Sequence, residues 1–246
     1  MKLKILGSGT IISDKHTSNC SGYLLDDRLL FDCGPGVWRA LNENGLSPTQ
    51  INHILLSHFH VDHVSDLLPI LLSRWMFKNE RKNPVYIIGP QGIKVWFRKV
   101  INITTDWIKD LDIRVIENTG NDLQLLSYKI SCLPTAHTDH SICYRVIDHQ
   151  NTLFFYSGDS DFDHNLVKLA QHATLALLES SYPQENRVRG HLTPQLAGRI
   201  ARMAEIKCLV LVHLYPECRV RDVISLAQQE YKGKIILAED GMELVF

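Results

Sequence analysis

Between positions 57 and 63 the chain reads Ser57-His58-Phe59-His60-Val61-Asp62-His63, three imidazoles and a carboxylate within six residues. No other stretch restricts the fold as tightly, because this cluster is wedged between two apolar runs. Ile54-Leu55-Leu56 precedes it and Val64 to Leu72 follows it. The first run is short and aliphatic, as in a buried strand, and the second is long enough for a helix. The four polar groups therefore fall in a strand-to-helix loop. On an extended strand end, side chains alternate, so His58 and His60 point to the same side. Asp62 and His63 come after the turn and can face a second point. Imidazole and carboxylate are the ligands that zinc accepts. The spacing predicts that one loop supplies two ligands to each of two metals. The alternative is a chance cluster of polar loop residues, but this pattern directly after a buried strand is specific.

His58-x-His60-x-Asp62-His63 resembles the signature of the metallo-β-lactamase superfamily. That resemblance implies an α/β (α+β) chain folded as a four-layer αβ/βα sandwich, with a metal pair at one edge of the sheets. The remaining ligands are then matched residue by residue. His137 ends the apolar stretch Leu133-Pro134-Thr135-Ala136, Asp159 lies in Ser157-Gly158-Asp159-Ser160, and His213 closes Leu209-Val210-Leu211-Val212. By this resemblance His58, His60 and His137 hold one ion, Asp62, His63 and His213 the other, and Asp159 bridges them. The ions are divalent, zinc by the chemistry of the donors, with manganese as the alternative. Each distal residue also has a plain reading: His137 as a surface loop residue, Asp159 as a cap for a helix over 162–170, His213 as a satisfied buried histidine. Histidines 16, 53, 140, 149, 164 and 172 lack comparable context and are assigned to surface or structural roles.

Further segments narrow the branch. Ser141-Ile142-Cys143-Tyr144-Arg145-Val146, Glu179-Ser180-Ser181-Tyr182 and Gly190-His191-Leu192-Thr193 are similar to segments of ribonuclease Z and its phosphodiesterase relatives, a likeness running from residue 1 to about 216. The pattern lacks both the cysteine of the lactam-cleaving members, where Asp159 stands, and the glutamate of the flavodiiron members, where His60 stands. The resemblance implies a phosphodiesterase in which a metal-bridging hydroxide attacks, Asp62 orients it, and His191 protonates the leaving oxygen or holds the phosphate. An imidazole opposite the nucleophile is a competent acid near neutral pH. Thr193, followed by Pro194, is a candidate helix cap that would aim N–H groups at an anion. Asp32 is a candidate partner for the metal loop, as in the family, or a cap for a helix over 36–43.

One departure bears on the substrate. The tRNA-maturing members carry a long arm between the segments matching His137 and Asp159; here those two residues are only 22 apart in the sequence. Cys143 and Leu192 also replace the usual glycine and small serine. Net charge is −1 with a sequence pI near 6.9, which promises no large polyanion contact. The expected substrate is therefore a small phosphodiester, a cyclic nucleotide or a nucleic-acid end. The alternatives are an acyl hydrolase acting on lactones or thioesters, and a metal-stabilised binding or regulatory protein without turnover. Superfamily members often dimerise, which makes a homodimer an expectation from the resemblance alone.

With 246 residues, 45% of them hydrophobic, the chain suits a single domain. Six scattered cysteines without close pairing read as reduced thiols. Met1 leads directly into a strand, with no signal peptide and no membrane-length apolar run, so a cytoplasmic protein is expected. The pattern predicts strands over 2–6, 22–25, 28–31, 85–88, 113–116, 128–133, 142–147 and 152–156. Helices are expected over 64–77, with Pro69 early inside, and over 92–101, with a short one opening at Asp106-Trp107. Trp75, Trp96, Phe97 and Trp107 are read as core packing in preference to a substrate mouth.

Overall fold

Two adjacent aspartates, Asp26 and Asp27, adopt left-handed φ values of 50° and 55° at the centre of a tight turn in which Arg28 N–H meets Leu25 O at 3.0 Å, with Leu25 paired to Leu29. They close the first hairpin of a computed structural model that describes residues 1–12, 18–77 and 83–246; His16 lies outside these. In chain order the elements are β1 (Lys2–Gly7), β2 (Gly22–Leu25), β3 (Leu29–Phe31), α1 (Val37–Glu43), β4 (His53–Leu55), α2 (Val61–Val64), α3 (Leu67–Met76), β5 (Val85–Gly89), α4 (Ile93–Ile101), β6 (Ile113–Glu117) and β7 (Leu123–Leu125). The second half follows with β8 (Tyr128–Pro134), β9 (Ile142–Ile147), β10 (Leu153–Tyr156), α5 (His164–Ala170), β11 (Leu175–Glu179), α6 (Pro194–Met203), β12 (Cys208–Val212), α7 (Pro216–Arg219), α8 (Val223–Gln228), β13 (Lys234–Leu237) and β14 (Glu243–Val245).

The strands form two seven-stranded sheets, ordered β14-β1-β2-β3-β4-β5-β6 and β13-β12-β11-β10-β9-β8-β7. In the first, the pairs from β14 to β3 are antiparallel and those from β3 to β6 parallel; in the second, the pairs from β13 to β10 are parallel and those from β10 to β7 antiparallel. A central core between the sheets contains Leu3, Tyr23, Phe31, Tyr144, Phe154, Tyr156 and Val210. Phe31 meets Tyr144, Phe154 and Tyr156 edge-on across it, at centroid distances of 5.4–6.1 Å. A second core joins one sheet to α5, α6 and α8, and a third joins the other to α1, α3 and α4. The result is the expected four-layer αβ/βα sandwich. The parallel strands β11 and β12 are buried at every position, as strands covered on both faces must be.

The expected helix over 64–77 is two helices. Asp66, between α2 and α3, gives its N–H to Cys33 O at 2.8 Å and takes Trp38 N–H at 2.8 Å. Those tertiary bonds replace local helical ones, and Pro69 then sits in the first turn of α3, where its missing donor costs nothing. The tryptophans pack as expected: Trp96 stacks on Phe59 at 4.9 Å, Phe97 is buried, and Trp75 lies against Trp107 with its indole N–H on Asp110. All six cysteines are buried and unpaired. Among the described residues, no helix is long and apolar enough to cross a membrane.

Candidate metal centre

The loop after β4 leaves the sheet at Leu55 and turns into α2, with His60 in extended conformation just before the helix. Its opposite wall is built by the strand ends of the other sheet: His137 beyond β8, Asp159 beyond β10 and His213 beyond β12. Two residues at this edge occupy the left-handed region without being glycine, Asp32 at φ 53° and His213 at φ 58°. Such strain is retained where surrounding contacts over-determine it, commonly at functional sites. Gly158 of the Ser-Gly-Asp segment is also left-handed, and a β-carbon there would lie 2.8 Å from Ser57 Cβ.

All seven sequence-predicted ligands converge. His58, His60, His137 and Asp159 form one group and Asp62, His63 and His213 another, with candidate ligand atoms within 4.8 Å of one another. Asp159 stands between the groups. One oxygen lies 3.4 Å from His63 Nε2; the other lies 3.8 Å from both His58 Nε2 and His137 Nε2 and 3.7 Å from His213 Nε2. Asp62 Oδ2 is 3.4 Å from His213 Nε2. Spacings of this size are those between neighbouring ligands around a cation bonded at about 2.0–2.2 Å.

The second nitrogens show why the rings face inward. His63 Nδ1 lies 2.8 Å from Asp32, His58 Nδ1 3.0 Å from Ser57 Oγ, His137 Nδ1 2.9 Å from Gly190 O, and His213 Nδ1 3.0 Å from Ser181 Oγ. Ser57 donates onward to Asp32, and Ser181 to Glu179. In these four rings Nδ1 is therefore the donor and Nε2 is left for the centre; His60 instead turns Nδ1 inward, 3.1 Å from His137 Nε2. His58 Nε2 is buried without a hydrogen-bond partner, and His63 Nε2 and His213 Nε2 meet at 3.4 Å. Two lone pairs cannot face each other there; a proton or a cation must lie between them. Burial opposes ionisation of Asp159, yet the charges of His213 and His63, with a hydrogen bond from His63, hold its carboxyl well below the usual range. Burial keeps His58 neutral, its value well below an ordinary imidazole. The donor set thus fits divalent metal ions.

Asp32 settles its two readings in favour of the metal loop. It is fully buried and accepts from Ser57 N at 2.7 Å, Ser57 Oγ at 2.7 Å, His63 Nδ1 at 2.8 Å and Tyr156 Oη at 2.5 Å. It caps no helix; α1 starts from Gly36 without a side-chain cap. The cap before α5 is Asp163, which leaves Asp159 free.

His191 stands beside the same carboxylate, its Nδ1 3.9 Å from Asp159 and 3.1 Å from Glu179. Burial lowers the tendency of His191 to charge, but the hydrogen bond and charge of Glu179, with Asp159, outweigh it and lift the imidazole to about 9. Glu179 is anchored by Ser160 N–H at 2.6 Å and by the Ser181 hydroxyl. Leu192, where a small residue is usual, is buried in the core under α6, and its carbonyl accepts Ser181 N–H at 3.0 Å. The substitution thereby pins the loop that carries His191. Thr193 caps α6 as expected through Leu196 N–H, and its hydroxyl is donated to Gln184.

Sequence reasoning left Ser57, Ser160, Ser181, Tyr156, Tyr182 and Tyr215 without roles, and gave Glu179 only a family likeness. The available signal was position: each stands at or just beyond the end of a strand that carries a ligand or pairs with one that does. Of the remaining described histidines, His53 is buried and stacked on Tyr86 at 5.1 Å and 10°. Burial lowers its pKa, so below about pH 6.5 the unfolded chain takes up the proton more readily. Stability is then complete above that pH and falls as acid is added. Denaturant titrations between pH 8 and 5 are expected to show the parent losing ground to His53→Gln below about pH 6.5; parallel curves would refute this.

Comparison with known proteins agrees with this geometry. Ribonuclease Z of Haloarcula marismortui is 24% identical, the alignment covering 99% of this chain and 96% of that protein. An uncharacterised protein of Mycobacterium leprae is 30% identical over 98% of this chain and 87% of its own length. Among solved structures, the metallo-β-lactamase fold protein YhfI of Bacillus subtilis has a TM-score of 0.87 at 23% identity, covering 99% of this chain and 98% of its own. The short form of human tRNase Z has a TM-score of 0.80 at 22% identity, covering 100% and 99%. The family profile described as "Anti-Pycsar protein Apyc1" matches residues 1–193, and the chain therefore belongs to that family, on the metallo-β-lactamase fold and in its ribonuclease Z-like branch.

Proposed function

We propose that this protein is a phosphodiesterase with a dinuclear zinc centre. The carrying observation is the inward convergence of imidazole nitrogens on Asp159, with the hydrogen-bonded His191–Glu179 pair beside the same carboxylate. His58, His60 and His137 would hold one ion and Asp62, His63 and His213 the other, with Asp159 shared. Bound there, the pair would supply Lewis acidity at a phosphoryl oxygen and lower the pKa of a shared water. Asp62 would orient an attacking water by accepting its hydrogen bond. His191, its Nδ1 tied to Glu179, presents Nε2 to the leaving oxygen and delivers the proton. Asp32 and Ser57 hold the metal loop in register for both steps.

Support for a small substrate comes from the connection between His137 and Asp159, which is only the β9–β10 hairpin and its flanks. Beside His137 lies a cleft of about 590 Å³ lined by Thr138, Asp161, Phe162, Arg187 and Arg189. A cyclic nucleotide, a small phosphodiester or the end of a nucleic-acid strand fits such a site. The ribonuclease Z relatives act on RNA by name, which favours phosphodiester chemistry over acyl transfer.

The test is turnover of bis(4-nitrophenyl) phosphate by zinc-loaded protein, beside a panel of lactones and thioesters. Turnover of the phosphodiester that is absent in His58→Ala supports the proposal. Activity confined to the acyl panel would replace it, and metal binding with no turnover on either would assign a binding role. His191→Ala is expected to lower kcat by about 10²–10⁴-fold while metal content stays that of the parent. Loss of metal would make His191 a ligand instead.

A further inference from the structure

β11 and β12 are parallel neighbours in which Glu179 pairs with Val212. Three residues beyond each of those positions stands a tyrosine, Tyr182 after β11 and Tyr215 after β12. The register continues past the strand ends through Ser180 N–H to Val212 O at 2.9 Å and Tyr215 N–H to Ser181 O at 3.1 Å. Equal overhang on paired strands brings the two rings together. They stack at 4.5 Å and 16°, and their hydroxyls interact.

The stack borders the candidate centre. Tyr182 meets His191 edge-on at 5.7 Å, and Tyr215 meets His191 at 6.2 Å and His213 at 5.8 Å. Both tyrosines are half-buried, so the pair offers aromatic surface beside the residue assigned to the leaving oxygen. The other aromatic pair near the loop, Phe59 on Trp96, is placed differently. Phe59 alternates with His58 and His60 and packs against the core beneath α3 and α4. Of these two described pairs, the tyrosines are the one in contact with His191 and His213.

We propose that the Tyr182–Tyr215 stack is a binding face for a planar aromatic group of the substrate, the base of a nucleotide whose phosphodiester lies at Asp159 and His191. This rests on the phosphodiesterase reading. Base-on-aromatic stacking tolerates any base because every base presents a π-face. An alkyl phosphodiester would gain nothing from the pair.

The experiment measures binding of adenosine 5′-monophosphate and of ribose 5-phosphate to zinc-loaded protein by calorimetry. The two share phosphate and sugar and differ in the base. The nucleotide is expected to bind about ten-fold tighter or more. Tyr182→Leu and Tyr215→Leu should each shrink that ratio by at least about three-fold, and Tyr182→Phe and Tyr215→Phe should preserve it, because the ring and not the hydroxyl carries the effect. A parental ratio near one overturns the proposal, whatever the variants do. So does a ratio unchanged in folded, zinc-containing leucine variants. If those variants fail to fold, the parental ratio and the phenylalanine variants decide. Turnover of methyl 4-nitrophenyl phosphate, which has no base, is read separately. Turnover with a ratio near one removes the aromatic face and keeps the phosphodiesterase. A large ratio without turnover removes the phosphodiesterase.

Discussion

Asp159→Ala is expected to empty the metal centre and reduce turnover to the level of chelator-treated parent. The carboxylate lies within 3.4–3.8 Å of the inward nitrogens of His58, His63, His137 and His213. It is the negative charge at the middle of four imidazoles, and its removal leaves one group with imidazoles alone and Asp62 as the single carboxylate of the other. The fold need not suffer, because Asp159 lies at a strand end and caps no helix. Elemental analysis of purified variant, with circular dichroism as control, checks this. A folded variant that retains parental zinc would show that the ligand assignment is wrong.

Asp32→Asn is the second large effect, and it acts without touching an ion. The variant keeps the volume but replaces one acceptor oxygen with an amide donor, in a fully buried position surrounded by four donors. At least one of Ser57, His63 and Tyr156 must lose its partner. The expected cost is about 3–5 kcal/mol of stability, as for a broken buried charge network. Zinc affinity should fall about 10–100-fold through the misoriented His63. Chemical denaturation and competition with a chromogenic chelator measure the two. A change in stability with unaltered zinc affinity would leave Asp32 a purely structural residue.

The site was more legible in the sequence than the sheets that carry it. His58, His60, Asp62 and His63 are contiguous enough to be recognised locally, and His137, Asp159 and His213 each follow an apolar run that reads as a strand. Asp32 was ambiguous because an aspartate before a helix looks the same whether it caps the helix or meets His63, 31 residues further along the chain. The short strands β7 and β14 leave little alternation to detect, since each has three residues and is partly exposed. The pairing of β14 with β1, Leu3 against Leu244, is a contact between opposite ends of the sequence that no local period encodes. The break at Ser65-Asp66 escaped for the same reason: the bonds that end α2 go to Cys33 and Trp38. The tyrosine stack required the register of β11 on β12, which only the folded sheet supplies.

Both ligand groups draw on both sheets: the loop after β4 contributes His58 and His60 to one and Asp62 and His63 to the other, while His137, Asp159 and His213 come from the facing sheet. A bound ion would therefore act as a rivet through the sandwich, and departure of the ion and parting of the layers would share one barrier. Chelators would strip such a protein slowly at rest and quickly once warmth or denaturant loosened the layers, so the speed of stripping becomes a gauge of how often the two halves breathe apart.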